Sequence, residues 1–393
     1  MKDASVFIYD PEESDYRFND EHPFNQKRLD LTVDLLNRMG ALPEEALRKP
    51  ITAEAEKLLL VHSEEYIQAV RELSCPSPRE PWLSAAERYG LRTEDTPFFP
   101  RMHEITSHVV GGSLLAAELV MKGETKHALH LGGGLHHALR NQGAGFCVYN
   151  DASIAIAHLK KEYQARVLYI DTDVHHGDGV QWSFYSDPDV CTFSIHETGK
   201  YLFPGTGGVP ERGEGEGFGF SVNLPVEPYT EDDSWMECFE EVLERTAATF
   251  RPDVIVSQHG CDAHAYDPLA HVHCSMRIYK EMPALIHKLA HTWCGGRWIA
   301  LGGGGYDLWR VVPRAWSLVW LTMTDHPLLK QLEENPKLPL PLEWLDRWQP
   351  ESPVELPPTW LDPVDCWTPM PRRIDITAKN KVTKELAMLY LNK

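Results

Sequence analysis

Short apolar runs, each ending in glycine, aspartate or histidine, recur along this chain with helical-looking stretches between them, and that alternation leaves few architectures open. The runs are Ser5 to Asp10, Ala128 to Gly134, Val167 to His176, Val190 to His196, Val254 to Gly260 and Trp298 to Gly305. Arg28 to Met39, Ile105 to Met121, Ala152 to Glu162, Asp232 to Phe250 and Met276 to His291 carry amphipathic spacing and good helix formers. Alternating β and α elements predict an α/β fold with a mostly parallel sheet covered by helices on both faces. At 393 residues the length permits two ordinary domains or one large one. We expect a single large domain over residues 1–330 and an extension over 331–393. From about Glu333 prolines gather in Asn335 to Leu342, Trp348-Gln-Pro350 and Leu356-Pro-Pro-Thr-Trp360, too densely for a helix or an inner strand. The extension therefore reads as Pro- and Trp-rich and extended, with its tryptophans packed back on the domain and a short last helix over Thr377 to Leu391.

In such sheets ligands gather beyond the carboxyl ends of the strands, and here the polar clusters follow the apolar runs. The densest is Tyr169-Ile-Asp171-Thr-Asp173-Val-His175-His176-Gly177-Asp178-Gly179. In an extended segment side chains alternate, so Asp171, Asp173 and His175 project to one side and Thr172, Val174 and His176 to the other. Ionisable groups converging in an apolar surround are costly unless a cation or hydrogen bonds compensate them. Any one of them would suit an ordinary solvated strand end; together they point to a metal-dependent hydrolase. Leu131-Gly-Gly-Gly-Leu-His136-His137 adds a histidine pair that can do acid/base chemistry if carboxylates fix its tautomers. Gln258-His-Gly-Cys-Asp262 brings another carboxylate to a strand end, and Gly304-Gly305-Tyr306 presents a tyrosine after a glycine turn. Neither glycine run continues as GxGxxG or as a Walker loop, which argues against nucleotide binding.

Lys and Arg total 38 against 58 Asp and Glu, a formal net charge of -20. That balance argues against nucleic acid or an anionic membrane as a main partner and favours cationic substrates such as lysine-bearing segments or polyamines. Met1 to Asp10 has no basic segment followed by an apolar one, and no stretch is long enough to span a bilayer, so a cytoplasmic protein is expected. Eight cysteines without CxxC spacing read as reduced thiols.

Four motifs in this order, Gly132-Gly-Gly-Leu-His-His137, Asp171-Thr-Asp-Val-His-His-Gly-Asp-Gly179, Phe203-Pro-Gly-Thr-Gly207 and Gly302-Gly-Gly-Gly-Tyr306, resemble the zinc-dependent histone deacetylase superfamily. The stretch Glu21-His-Pro-Phe-Asn-Gln-Lys-Arg28, the length and the tail are most similar to its bacterial acetoin-utilisation branch of lysine deacetylases. The resemblance covers roughly residues 5 to 325. It implies the arginase/deacetylase fold and hydrolysis of acetyl-lysine to lysine and acetate. It assigns the metal ligands to Asp173, His175 and Asp262, for Zn2+ or, in the cell, Fe2+. It pairs His136 with Asp171 and His137 with Asp178, and gives Tyr306 the task of polarising the carbonyl. Gly145, Phe146, Phe203, Leu269 and Gly304 fall where the family binds the acyl-lysine, and Asp95 where it grips the substrate backbone. Asp171, Asp173, His175, Ser194 and Ile195 match a K+ site, and Arg28 matches a residue of the product channel. The branch suggests an acetylated metabolic protein as partner, such as an acetyl-CoA synthetase. Two carboxylates and a neutral imidazole nearly cancel a divalent charge, so water beside the metal is acidified less than at a three-histidine site, where its pKa falls to about 7. A separate base, His137, is then required.

Two departures bear on rival readings. His264 lies two residues beyond Asp262, where the related arginase-like hydrolases hold a second-metal carboxylate, which keeps a binuclear ureohydrolase in view. Leu202 beside Phe203 bears on acyl preference. An acetylpolyamine or other small-amide hydrolase would use the same machinery, and a non-enzymatic acetyl-lysine binder would have lost a catalytic group that His137 and Tyr306 retain.

Overall fold

All strand pairings in the sheet are parallel, and the order of its eight strands brings four loop-bearing ends side by side. The structure, a computed structural model, describes residues 5–363 and 367–391. In chain order the strands are β1 (Ser5–Ile8), β2 (Leu47–Arg48), β3 (His127–His130), β4 (Val167–Asp171), β5 (Val190–Glu197), β6 (Ser221–Val226), β7 (Val254–Gln258) and β8 (Trp298–Leu301). They lie in the order β2-β1-β3-β8-β7-β4-β5-β6. Inserting β8 and β7 between β3 and β4 makes a topological switch point, and the loops after these four strands open on one crevice.

The six expected runs all supply strands, but most strands stop where the polar residues begin. β4 ends at Asp171, and residues 173–175 bend. The extended alternation therefore holds only to Asp171. The bend turns Asp173 and His175 toward each other, while Asp171 faces the histidine pair. Every residue of β4 is buried, as an inner parallel strand requires. Leu168 and Ile170 enter one core with helices Lys27–Arg38, Asp232–Phe250, Met276–Trp293 and Val312–Met323. Val167 and Tyr169 enter the opposite core with helices Met102–Met121 and Asp151–Tyr163. Helices thus cover both faces.

The C-terminal segment is more regular than its prolines suggest. Helix Leu342–Trp348 forms between the proline clusters, with Pro341 just before it, where no helical N–H is lost. Trp344, Trp348 and Trp360 are buried, and the Trp344 indole donates to the Leu31 carbonyl at 3.0 Å. The last helix is longer than expected, Arg373–Leu391, and packs on helix Asp232–Phe250 and on the edge strand β6. The expected boundary after residue 330 falls inside helix Leu328–Glu334. The seven described cysteines are free thiols, six of them buried; Cys366 lies outside the described residues.

Candidate metal centre

Three side chains from two strand-end loops meet in the crevice. Asp173 and His175 come from the bend after β4, and Asp262 from the loop after β7. His175 Nδ1 is 3.2 Å from Asp173 Oδ1 and 3.1 Å from Asp262 Oδ2, and all three residues are buried. Ligand atoms around a tetrahedral zinc at its usual bond lengths are about 3.3 Å apart, so this donor set fits a single divalent cation. Burying two carboxylates against one imidazole also creates a site where a cation would replace a shared proton. Burial and the Asp173 charge raise the Asp262 carboxyl to about 6.

The neighbouring backbone fixes these ligands. Asp173 Oδ2 accepts from the Gly304 N–H at 2.7 Å and from Gln258 Nε2 at 2.8 Å, which leaves Oδ1 facing the centre. Asp262 Oδ1 accepts from the Val174 N–H at 2.8 Å, which leaves Oδ2. At Gly304 a Cβ would overlap both carboxylates, so the chain can pass here only as glycine.

The histidine pair stands beside the cluster, each ring held by its own carboxylate. His136 Nδ1 lies 2.8 Å from Asp171 Oδ2, which also accepts from the Tyr169 hydroxyl at 2.8 Å. His137 Nδ1 lies 2.8 Å from Asp178 Oδ1. Burial would lower the His136 pKa, but the Asp171 and Asp173 charges outweigh it and lift it to about 9. Burial and the adjacent His136 charge lower His137 to about 4 despite Asp178. Next to a protonated His136, His137 is therefore neutral near pH 7 and able to accept a proton.

A cavity of about 210 Å³ leads to the cluster, lined by Asp95, His137, Gly145, Phe146, His175, Leu202, Phe203, Leu269 and Tyr306. The Phe203 ring packs 5.0 Å from His137 and the Phe146 ring 5.5 Å from Tyr306. Gly145 has φ +52°, and a Cβ there would strike the His137 imidazole and crowd Phe203. Tyr306 is half-buried, with its ring 6.4 Å from His175; burial and the Asp262 charge push its hydroxyl pKa well above the ordinary value, so it keeps its proton. A buried Asp267 accepts from the backbone N–H of both Tyr306 (2.8 Å) and Leu269 (3.0 Å), joining two parts of the wall.

The fold thus gathers most of the residues singled out in the sequence. Gly304 is not on the cavity wall; its N–H is committed to Asp173. Ser194 pairs in register with Asp171 across β4 and β5, with Ile195 next to it, and its hydroxyl lies 2.8 Å from His196 Nδ1. Arg28 is buried behind Tyr306, donating to the Gly305 carbonyl at 3.0 Å between the rings of Phe24 and Trp316. His264 turns away from the cluster: its Nε2 is 2.9 Å from Asp362 and its Nδ1 is 3.1 Å from the Tyr266 N–H, so neither nitrogen faces a second cation beside Asp262. Sequence reasoning missed Gln258, Asp267 and Asp151, whose carboxylate accepts the N–H groups of Gly134 (2.9 Å) and Leu135 (2.8 Å) and so fixes the loop carrying the histidines. Gln258 closes a buried strand at its functional end, which is the one signal that would have found it.

Comparison with known proteins agrees with this geometry. The family described as histone deacetylase domain matches residues 22–323. Acetoin utilization protein AcuC of Bacillus subtilis is 52% identical over 389 residues, covering 99% of this chain and 97% of that protein. Its Staphylococcus aureus counterpart is 45% identical over 377 residues, covering 96% of this chain and 94% of that one. The crystal structure of an HDAC homologue from Aquifex aeolicus superposes with a TM-score of 0.81 at 28% identity, covering 96% of this chain and 99% of that one. An HDAC homologue complexed with SAHA gives 0.82 at the same identity, with the same coverage of both chains. Among the described residues no helix is long and apolar enough to cross a membrane.

Proposed function

The chain belongs to the histone deacetylase family, a family of metal-dependent hydrolases, and from that premise we propose that it hydrolyses the acetamide of acetyl-lysine to free lysine and acetate. The observation that carries this reading is the convergence of His137, His175 and Tyr306 on one narrow cavity whose walls include two phenylalanines. Such a shape suits a slim aliphatic chain with an amide at its tip.

A divalent cation held by Asp173, His175 and Asp262, zinc or ferrous iron, would polarise the amide carbonyl and acidify an adjacent water. His137 takes a proton as water attacks and returns it to the departing lysine amine, while Asp178 holds the ring in the tautomer this needs. His136, kept charged by Asp171, supplies positive potential next to the developing negative charge. Tyr306 donates its hydroxyl proton in a hydrogen bond to the oxyanion. Gly145, Phe146, Phe203, Leu269 and Gly304 form or support the acyl-lysine site, and the exposed Asp95 at the mouth takes the substrate backbone. The K+ site at Asp171, Asp173, His175, Ser194 and Ile195 and the exit route at Arg28 belong to the same reading. The relatives' link to acetoin use supports an acetylated metabolic protein, such as an acetyl-CoA synthetase, as the substrate.

The test is Tyr306→Phe, assayed on an acetylated peptide after metal analysis. It should keep its metal and lose about 10² to 10³ in kcat, the usual effect of removing one oxyanion donor. Asp173→Ala should lose metal as well. Unchanged turnover in the tyrosine variant refutes the mechanism, and faster turnover of acetylputrescine than of the peptide refutes the protein substrate.

A further inference from the structure

At the opposite end of the sheet from the cavity, where β3 begins, a second group of ligand atoms converges. His127 is the first residue of β3, and His287 and His291 are one turn apart near the end of helix Met276–Trp293. His291 Nε2 lies 3.2 Å from His127 Nε2 and 3.0 Å from His287 Nε2. Each histidine offers a ring nitrogen, and the three ligand atoms lie within 4.8 Å of one another. His127 is buried, His287 half-buried and His291 exposed, so the group is open to solvent on one side.

The hydrogen bonds around His127 fix its tautomer. Its Nδ1 is 3.0 Å from the Met323 carbonyl, which can only accept, so Nδ1 carries the proton. The Ser5 hydroxyl donates to the same carbonyl at 2.8 Å, and its lone pair faces Nδ1 at 3.3 Å. In the neutral ring Nε2 of His127 is therefore the lone pair, and it is aimed at His291. A proton on His291 Nε2 can point well at only one of its two close neighbours. Three ring nitrogens meeting at such distances are placed to share one cation. The spacing is also near the roughly 3.3 Å that separates ligand atoms on a tetrahedral zinc. Histidines one helical turn apart are a common metal-holding pair, and a backbone carbonyl orienting the far nitrogen of a ligating imidazole is the usual support.

We propose that His127, His287 and His291 form a second metal site, for Zn2+ or a similar imidazole-preferring divalent cation. The site ties the start of β3 to the end of helix Met276–Trp293, far from the catalytic cavity. Its role is to hold that helix to the sheet.

The test uses full-length protein stripped with a chelator, dialysed against Zn2+, and compared with a His287→Ala/His291→Ala variant. Wild type should bind about two zinc ions per chain and the variant about one, as the catalytic centre is untouched. Co2+ in place of zinc should give two titration phases in wild type and one in the variant. Filling the second site should raise the thermal midpoint by roughly 3 °C at a hundredfold excess of metal over its dissociation constant, and the variant should lack that increment. Deacetylation by the variant with its catalytic metal in place should be unchanged. Equal metal content and equal thermal shifts in the two proteins would overturn the proposal.

Discussion

His136 and His137 are consecutive in the chain, yet their surroundings drive them to opposite protonation states: Asp171 and Asp173 hold His136 charged against burial, while burial and that charge keep His137 neutral despite Asp178. A third imidazole shows what burial does without a carboxylate. His62 is wholly buried, accepts from the Asn150 N–H at 3.0 Å and faces the Leu139 carbonyl at 3.0 Å; burial lowers its pKa to about 4. An unfolded histidine titrates near 6.5, so the fold favours the neutral form. The stability this contributes is complete above pH ~6.5 and is lost as the pH falls toward about 4, with roughly 2 kcal/mol gone by pH ~5. His62→Gln can keep both hydrogen bonds but cannot titrate. In urea unfolding it should lose less stability than wild type between pH ~7 and pH ~5, and equal losses would rule out this role for His62. At this scale the dense polar run at a strand end made Asp173 and His175 legible, although the bend after β4, and not strand alternation, turns them toward each other. Asp262 and Tyr306 were tied to them only by the family's motif order. Asp267 was not legible, because a buried carboxylate that serves backbone N–H groups has no pattern of its own, and Gln258 had only its place at the end of a buried strand as a signal.

Amphipathic helices announce themselves, and all five expected ones form within a few residues of their expected ends. Helix Val312–Met323 was missed because every residue in it is buried, so no polar face marks its period. β6 was missed because Pro225 interrupts its pattern, which is tolerable only because β6 is an edge strand. Helix Arg373–Leu391 docks partly through the buried amide of Asn380. Asn380 Oδ1 accepts from the Glu227 N–H at 2.8 Å, and its Nδ2 donates to Thr230 at 2.8 Å and Ser234 at 2.9 Å. Nearby, Lys384 bridges Glu237 at 2.7 Å and Glu241 at 2.6 Å. Asn380→Leu leaves the Glu227 N–H without its acceptor and should cost about 1 to 3 kcal/mol in urea unfolding, with faster proteolysis of the last helix. A change within about 0.5 kcal/mol would mean the helix is held by its apolar contacts instead.

Taken whole, the molecule carries a formal charge of -20, and Asp95 stands exposed at the cavity mouth. A field of that sign draws cationic substrates, and salt screens it. Acetylated peptides flanked by lysine should show KM rising severalfold between low salt and ~0.5 M while kcat holds, and glutamate-flanked peptides should show the reverse trend in KM. A KM insensitive to salt in both series would remove long-range attraction from substrate choice. The C-terminal segment is part of the same body. Asp362 joins Arg314 at 3.0 Å, His264 at 2.9 Å and the Met276 N–H at 2.8 Å; burial opposes its charge, but these partners hold the carboxyl well below its usual range. The covering of β6 by the last helix also sets the order of events during synthesis. Until residues 373–391 have folded onto β6, the sheet has an uncapped margin, and a nascent chain halted there offers that margin to any passing strand. Chaperone demand should therefore peak just before that helix docks.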